Sequence, residues 1–429
     1  MRSIVVSSCL VASLIATTSA FTQEWTRFRG PNGTGISQAR TIPTTWTEQD
    51  YNWKVKLPGG SGHSSPVVWG DKVFVLSADP QDATRYMLCY DANNGKQLWQ
   101  RKYKSTTHHL HVRSSFASST PAVDADHVYV GWSTPKETTL KAFDHQGSEV
   151  WSLDLGRWVS QHGFGASPIL FEDMVILHNS QQAARLDPGV APGDSAMMAF
   201  DRRTGKEIWR TPLVSINVCY SVPFLYEPAD GPIELVCIST GNGVFSLDPK
   251  TGKKNWSVEG VFSMRTVGSP IYAGGHIFGS TGSGAFANNY VAAIKPGKQA
   301  EVVYQLKNSS EFKAPYVPSM LAKGDSVFML YDRGFASCVD ATSGEIRWCE
   351  RTDAAFSCSP ILVQDRIYCT DDDGVVWVIA ADTNELRVLG KNPLGEPSRS
   401  VPAVSGGRMF LRTYSHLISV GGKGEAVGG

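Results

Sequence analysis

The chain has 429 residues, with 40 Lys and Arg against 40 Asp and Glu and a formal net charge of zero. It carries no basic field to hold nucleic acid or an anionic membrane surface. Its length suits two or three ordinary domains or one large repeat array, and 41 Gly and 23 Pro imply many turns.

Residues 1–20 read as a secretory signal: Arg2 supplies a positive start, residues 4–15 an apolar core, and Thr18-Ser19-Ala20 a small-residue cleavage site. Cleavage after Ala20 and a periplasmic or secreted location are therefore expected. The apolar run is too short for a stable bilayer span, and no other segment is apolar enough. Residues 21–52 read as an arm, whose Trp25 and Phe28 are expected to pack under the fold as a cap.

From residue 53 to 422 the sequence repeats. One phrase is a small residue, a proline, a β-rich run, a turn and a second β-rich run, as in Ser65-Pro66-Val67-Val68-Trp69-Gly70-Asp71-Lys72-Val73-Phe74-Val75-Leu76. Its prolines are Pro66, Pro121, Pro168, Pro223, Pro270, Pro318, Pro360 and Pro402, which mark eight units. The second phrase is clearest in Asp201-Arg202-Arg203-Thr204-Gly205-Lys206-Glu207-Ile208-Trp209. Its Asp suits bonding to backbone amides, and its Gly suits a positive φ. The Trp recurs as Trp99, Trp151, Trp209, Trp256 and Trp348, while the fifth unit puts Tyr304 near that slot and the seventh has none. A fixed phrase at such a period means stacked supersecondary units.

Each unit reads as four short strands, with the proline tolerated at the first residue of strand one. The expectation is an all-β fold, an eight-bladed β-propeller of four-stranded antiparallel blades. The eighth unit stops after three strands, and Asn52-Trp53-Lys54-Val55-Lys56 supplies an orphan fourth strand with its Trp53. Pairing it with residues 417–420 closes the ring and removes exposed edges. Residues 423–429 form a glycine-rich tail expected to be flexible.

Seven cysteines follow the signal. In a hairpin, Cys338 and Cys349 could face each other across adjacent strands, as could Cys358 and Cys369. Adjacent-strand bridges are geometrically demanding, so free buried thiols stand as the alternative. His108-His109-Leu110-His111 resembles a metal tract, but nothing nearby completes a ligand set, and polar loop histidines are the simpler reading. Asp371-Asp372-Asp373-Gly374 and the glycine-rich segment after Gly279 both fall where the repeat places a turn.

The two phrases together resemble the repeat of the PQQ-like, quinoprotein-type β-propellers, over the whole ring. That resemblance implies Trp residues that dock neighbouring blades. It also implies two opposite functions. Quinoprotein alcohol dehydrogenases hold pyrroloquinoline quinone and calcium at the axis, against a pair of adjacent cysteines that this chain lacks. Propellers of the BamB type are cofactor-free assembly scaffolds with the same blade count.

Residues just before each proline are expected to cluster round the axial funnel: His63, Arg113, His162, Tyr220, Arg265, Tyr316, Phe356 and Arg399. Arginine forks bind carboxylates, and aromatic faces stack on sugars, so this mouth suits an anionic or sugar-like ligand. The leading expectation is an exported binding scaffold with a protein, peptide or glycan partner and neither cofactor nor metal. The alternative is a quinoprotein-type oxidoreductase or a polysaccharide-active enzyme with its site at the funnel.

Overall fold

Short β-rich runs separated by tight turns form eight blades in the computed structural model, which describes residues 24–284 and 288–422. The expected signal (1–20) and tail (423–429) fall outside the described residues. Seven sheets have four strands; the eighth has a fifth, short strand from the arm, Ile36–Ser37, parallel to Ile361–Val363. Blade one shows the plan in sequence order: Val67–Trp69, Lys72–Ala78, Arg85–Asp91 and Gln97–Tyr103.

Burial follows position within the blade. The second and third strands are covered on both faces by neighbouring blades, so Val73, Phe74, Val75 and Leu76 are all buried and the sequence there is continuously apolar. The outermost strand of blade one buries fully only Trp99, so polar residues return.

The ring closes as the sequence implies. Trp53–Lys56 pairs antiparallel with the last strand, Trp53 opposite Ser419 and Lys56 opposite His416. The Trp53 indole N–H then donates to Ala92 O of blade one at 3.0 Å. The same joint recurs round the rim. Trp209 donates to Pro249 O at 3.1 Å, and its ring lies over Gly252 of the next blade, where a Cβ would stand 2.5 Å from it. The glycine of each repeated turn thus serves two ends: it takes the positive φ, 73° at Gly205, and it receives the tryptophan of the preceding blade. Asp201 organises the turn by accepting the Arg203 and Thr204 amides at 3.0 and 2.8 Å.

The degenerate units confirm the rule by how they depart from it. Tyr304 replaces the tryptophan of blade five and donates its hydroxyl to Ala341 O at 2.7 Å. No aromatic ring lies over Gly297 of that blade's irregular turn, and Trp256 of blade four donates instead to Glu234 of its own blade at 2.7 Å. In the sixth unit Leu321 pairs with Phe328 as Val67 does with Phe74. The proline slot there is therefore filled by Met320, and Pro318 lies two residues earlier.

All seven cysteines are free. A bulge after Cys338 shifts the register, so Cys349 faces Ser337 and Cys338 faces Trp348. A one-residue slip sends side chains to opposite faces, which removes the first pairing. Cys358 lies before the strand pair that begins with Ile361 opposite Tyr368, yet the two residues do meet, the Cys369 thiol donating to Cys358 O at 3.3 Å, and both thiols are free and buried.

Candidate functional site: the axial funnel

The arm builds the floor. Trp25 bridges to Val68 of blade one, and Thr26 O accepts the Val123 amide of blade two at 2.8 Å. Arg27 Nη2 then donates to Pro223 O at 2.6 Å, and Arg29 Nη2 to Met320 O at 2.8 Å and Pro360 O at 3.3 Å. Both guanidinium groups are buried and meet carbonyls at the proline slot, so the arm spans the bottom of the ring from blade one to blade seven. Phe28, between the two arginines, lines the axial cavity from below.

Above that floor, alternate residues of each incoming segment face the axis. One step before the slot is a belt of hydroxyls that ties blade to blade. Ser65 N donates to Thr120 Oγ1 at 3.0 Å and Thr120 N to Ser167 Oγ at 2.9 Å. Val222 N donates to Ser269, Ser269 N to Ser319 and Ser319 N to Ser359, at 3.0, 2.9 and 2.9 Å. Val401 N completes the sequence by donating to Ser65 Oγ at 3.0 Å. The belt lacks a hydroxyl at Val222 and Val401, which present apolar side chains to the cavity. Each of these contacts satisfies a buried backbone N–H, which costs about 1–3 kcal/mol when left unmade.

Three steps before the slot the uniformity ends. The axial residues there are His63, Ser118, Gly165, Tyr220, Val267, Val317, Ser357 and Arg399, and all line the cavity. Gly165 leaves space for Tyr220, whose Cδ1 would lie 3.1 Å from a Cβ at that position. Higher still are His111, Arg113, His162, Arg265 and Tyr316. The enclosed volume is about 540 Å³.

Of the eight residues expected at the funnel, seven line this cavity and Phe356 does not. It is fully buried and packs edge-on against Trp377 at 5.8 Å between ring centroids. Its neighbour Ser357 takes the place beside the axis. Sequence reasoning missed Ser118, Gly165, Val267 and Val317: counting back three residues from each proline finds the first three, while Val317 lies three before Met320, a slot that only strand pairing reveals. His111 lies on an exposed loop, as expected, and its ring also meets His162 at 4.7 Å between centroids beside the cavity. His108 stacks on Phe116 instead, so the histidine tract splits. Among the described residues no three His, Cys, Asp or Glu side chains group as metal ligands. Asp371 serves its turn, accepting the Asp373 and Val375 amides and the Trp377 indole.

The electrostatics of the mouth are cationic. Arg113 lies 3.3 Å from the buried Asp332, which also accepts the Tyr316 amide at 2.9 Å. Burial pushes the Asp332 carboxyl up to about 6, against the pull of those contacts. Arg399 reaches Asp372 only at 3.9 Å and donates to Val112 O at 3.1 Å. Arg265, 8% exposed, donates to the amide oxygens of Gln161 at 3.0 Å and Gln182 at 3.5 Å. Burial, then Arg399 and Arg412, hold the His63 imidazole down to about 3. Burial, then Arg265, hold His162 down to about 4. Both are neutral at ordinary pH. No Asp, Glu, Asn or Gln side chain is among the residues described as lining the cavity.

A sequence profile for the family described as outer membrane protein assembly factor BamB matches residues 136–299 and 287–413, more than half of the chain. The chain belongs to this family. It also shares the propeller with solved structures. BamB from Moraxella catarrhalis is 13% identical with a TM-score of 0.60, covering 86% of this chain and 98% of that one. The quinohemoprotein alcohol dehydrogenase of Comamonas testosteroni is 14% identical with a TM-score of 0.64, covering 94% and 81%. The computationally designed Ika8 protein is 12% identical at 0.58, covering 88% and 99%. At such identities the likeness shows the fold alone. No curated protein matches the sequence.

Proposed function

We propose that the protein is an exported, non-catalytic binding module that captures a partner through the funnel mouth, using the ring as a rigid frame. The observation that carries this reading is a cavity with the arm's Phe28 at its base and three arginines at its rim, with no acidic side chain among the described residues that line it. The family description, an assembly factor, supports a protein or peptide as the partner, and export rests on the three-part pattern of residues 1–20. No helix among the described residues is long and apolar enough to cross a membrane.

The residues present do not fit a calcium-bound quinone. Calcium takes about six to eight oxygen ligands, carboxylates foremost, and no carboxylate is among the described residues that line this cavity. Glycoside cleavage ordinarily uses a pair of carboxyl groups flanking the bond, which the lining also lacks. The arginines and neutral histidines are suited to holding a ligand in place.

Calorimetric titration with pyrroloquinoline quinone and calcium is expected to give no binding. Affinity capture from an extract of the exported compartment is expected to retain a partner that R265Q/R399Q loses. Submicromolar quinone binding with dye reduction would contradict the reading, as would capture indifferent to the two substitutions.

A further inference from the structure

Arg265 has no carboxylate within ion-pair distance among the described residues, although it is 8% exposed. Its partners are the neutral amides of Gln161 and Gln182, and its Nε–H is buried without an acceptor, as is that of Arg399. A buried guanidinium held by amides is oriented without being neutralised, and burying a charge unpaired is costly. Of the other arginines at the mouth, Arg113 has Asp332 and Arg399 has a distant Asp372. Arg27 and Arg29 are also buried against carbonyls without a carboxylate, but they lie outside the cavity lining, whereas Arg265 faces the cavity, where an anion from outside can reach it.

The rest of the cavity says what carries the missing charge. Below Arg265 the wall is mixed: Val222, Val267, Val317 and Val401 give it apolar surface above Phe28, and the belt hydroxyls lie between them. The belt hydroxyls accept backbone N–H groups, which leaves their own O–H protons to donate. The lining therefore offers donors and apolar surface and few acceptors. A neutral sugar, with as many donors as acceptors, is poorly matched to it. The floor is closed, so a chain cannot thread through, and only a small molecule or a chain end can enter. A volume of about 540 Å³ is in the range of small-ligand sites.

We infer that the counter-ion of Arg265 is the carboxylate of a bound organic acid, inserted end-on with its apolar body toward Phe28. The acid is either a free small molecule or the C-terminal residue of a polypeptide. This inference rests on the funnel being the binding face and adds the chemistry of what it holds. Arg265 supplies a charge-assisted fork, Arg399 stands one storey below it, and the valines and Phe28 select for the apolar body.

Four probes test it by calorimetry on the mature chain: acetyl-Gly-Gly-Leu with a free C-terminus, its C-terminal amide, 4-methylpentanoate and cellobiose. The free-ended peptide or the free acid is expected to bind, the first pointing to a polypeptide end and the second to a small metabolite. Amidation is expected to weaken the peptide at least about tenfold, the scale of one lost charged hydrogen bond. R265Q is expected to do the same, while R265K restores part of the affinity and V267D removes it. Far-UV circular dichroism checks that each variant is folded. Equal binding of acid and amide, binding of cellobiose alone, or no binding by any probe would overturn the inference. If a captured partner is still lost on R265Q/R399Q while every probe fails, the funnel reading survives and only the carboxylate assignment falls.

Discussion

The rim and the mouth of the ring are built from the same repeat and obey different rules. At the rim, the tryptophan of one blade docks on the turn of the next in nearly the same way each time: Trp53 on Ala92, Trp151 on Arg202, Trp209 on Pro249. At the mouth, three steps before the proline slot, equivalent positions carry His, Ser, Gly, Tyr, Val, Val, Ser and Arg. The hydroxyl belt lies between these extremes, regular except at Val222 and Val401. Where a position repeats, its task is to join identical units; where it varies, no joint constrains it and it is available to a ligand.

Breaking a rim joint has the largest expected effect. Trp209→Ala removes a buried indole, its hydrogen bond and its cover over Gly252, and is expected to cost about 3–5 kcal/mol. Urea unfolding of the variant checks this; a loss below about 1 kcal/mol would mean that the rim does not hold the ring. Next comes the belt. Ser319→Ala takes the acceptor from the buried Ser269 amide and is expected to cost about 1–3 kcal/mol by the same measurement. Smaller still are the mouth variants: R265Q and R399Q are expected to shift stability by less than about 1 kcal/mol, because each loses contacts to loop groups only, Gln161 and Gln182 for Arg265 and Val112 O for Arg399, and leaves the repeated rim and belt joints intact.

The pH dependence separates the two regions again. His63 and His162 titrate in the folded chain near 3 and 4, below the ordinary 6.5. At these two sites the unfolded chain therefore binds more protons, and their contribution to stability, complete above about pH 6.5, is lost as pH drops toward 4; the buried His178, held down to about 4, adds to that loss, and the raised Asp332 carboxyl opposes it. Replacing both by Gln is expected to remove their share of that loss, seen in urea midpoints taken from pH 7 to 4 as a smaller fall than the native chain shows. At the rim, Asp340 is held down to about 2 by the Ser343 amide and Arg347. Its small contribution is present above its unfolded value of 3.8 and is lost only as pH falls toward 2. Asp340→Asn is expected to leave the pH 7-to-4 slope almost unchanged.

The repeated regions were legible in the sequence because their causes are local. A turn Asp, a turn Gly and a Trp at fixed spacing specify a hairpin and its docking, and the orphan Trp53 shows where the ring closes. The slip of Cys349 away from Cys338 was not legible, since it depends on a bulge that the repeat phrase does not announce. Pro318 misled for a related reason: Met320 fills the slot, and only strand pairing reveals it. Phe356 was misplaced because nearness to a proline fixes the region of a side chain and not the side it faces. Arg27 and Arg29 carry no repeat signal, and only the tertiary structure shows them crossing under the ring to carbonyls of blades four, six and seven.

The most direct test of the division between rim and mouth measures binding and stability on the same three proteins: the native chain, R265Q/R399Q and Trp209→Ala. Calorimetry with acetyl-Gly-Gly-Leu carboxylate would be run at a temperature where all three are folded, alongside urea unfolding. The expected result is lost binding with a near-native urea midpoint for R265Q/R399Q, and retained binding with a much lower midpoint for Trp209→Ala. Native-like binding by R265Q/R399Q, or a collapse of its stability to that of Trp209→Ala, would contradict the account.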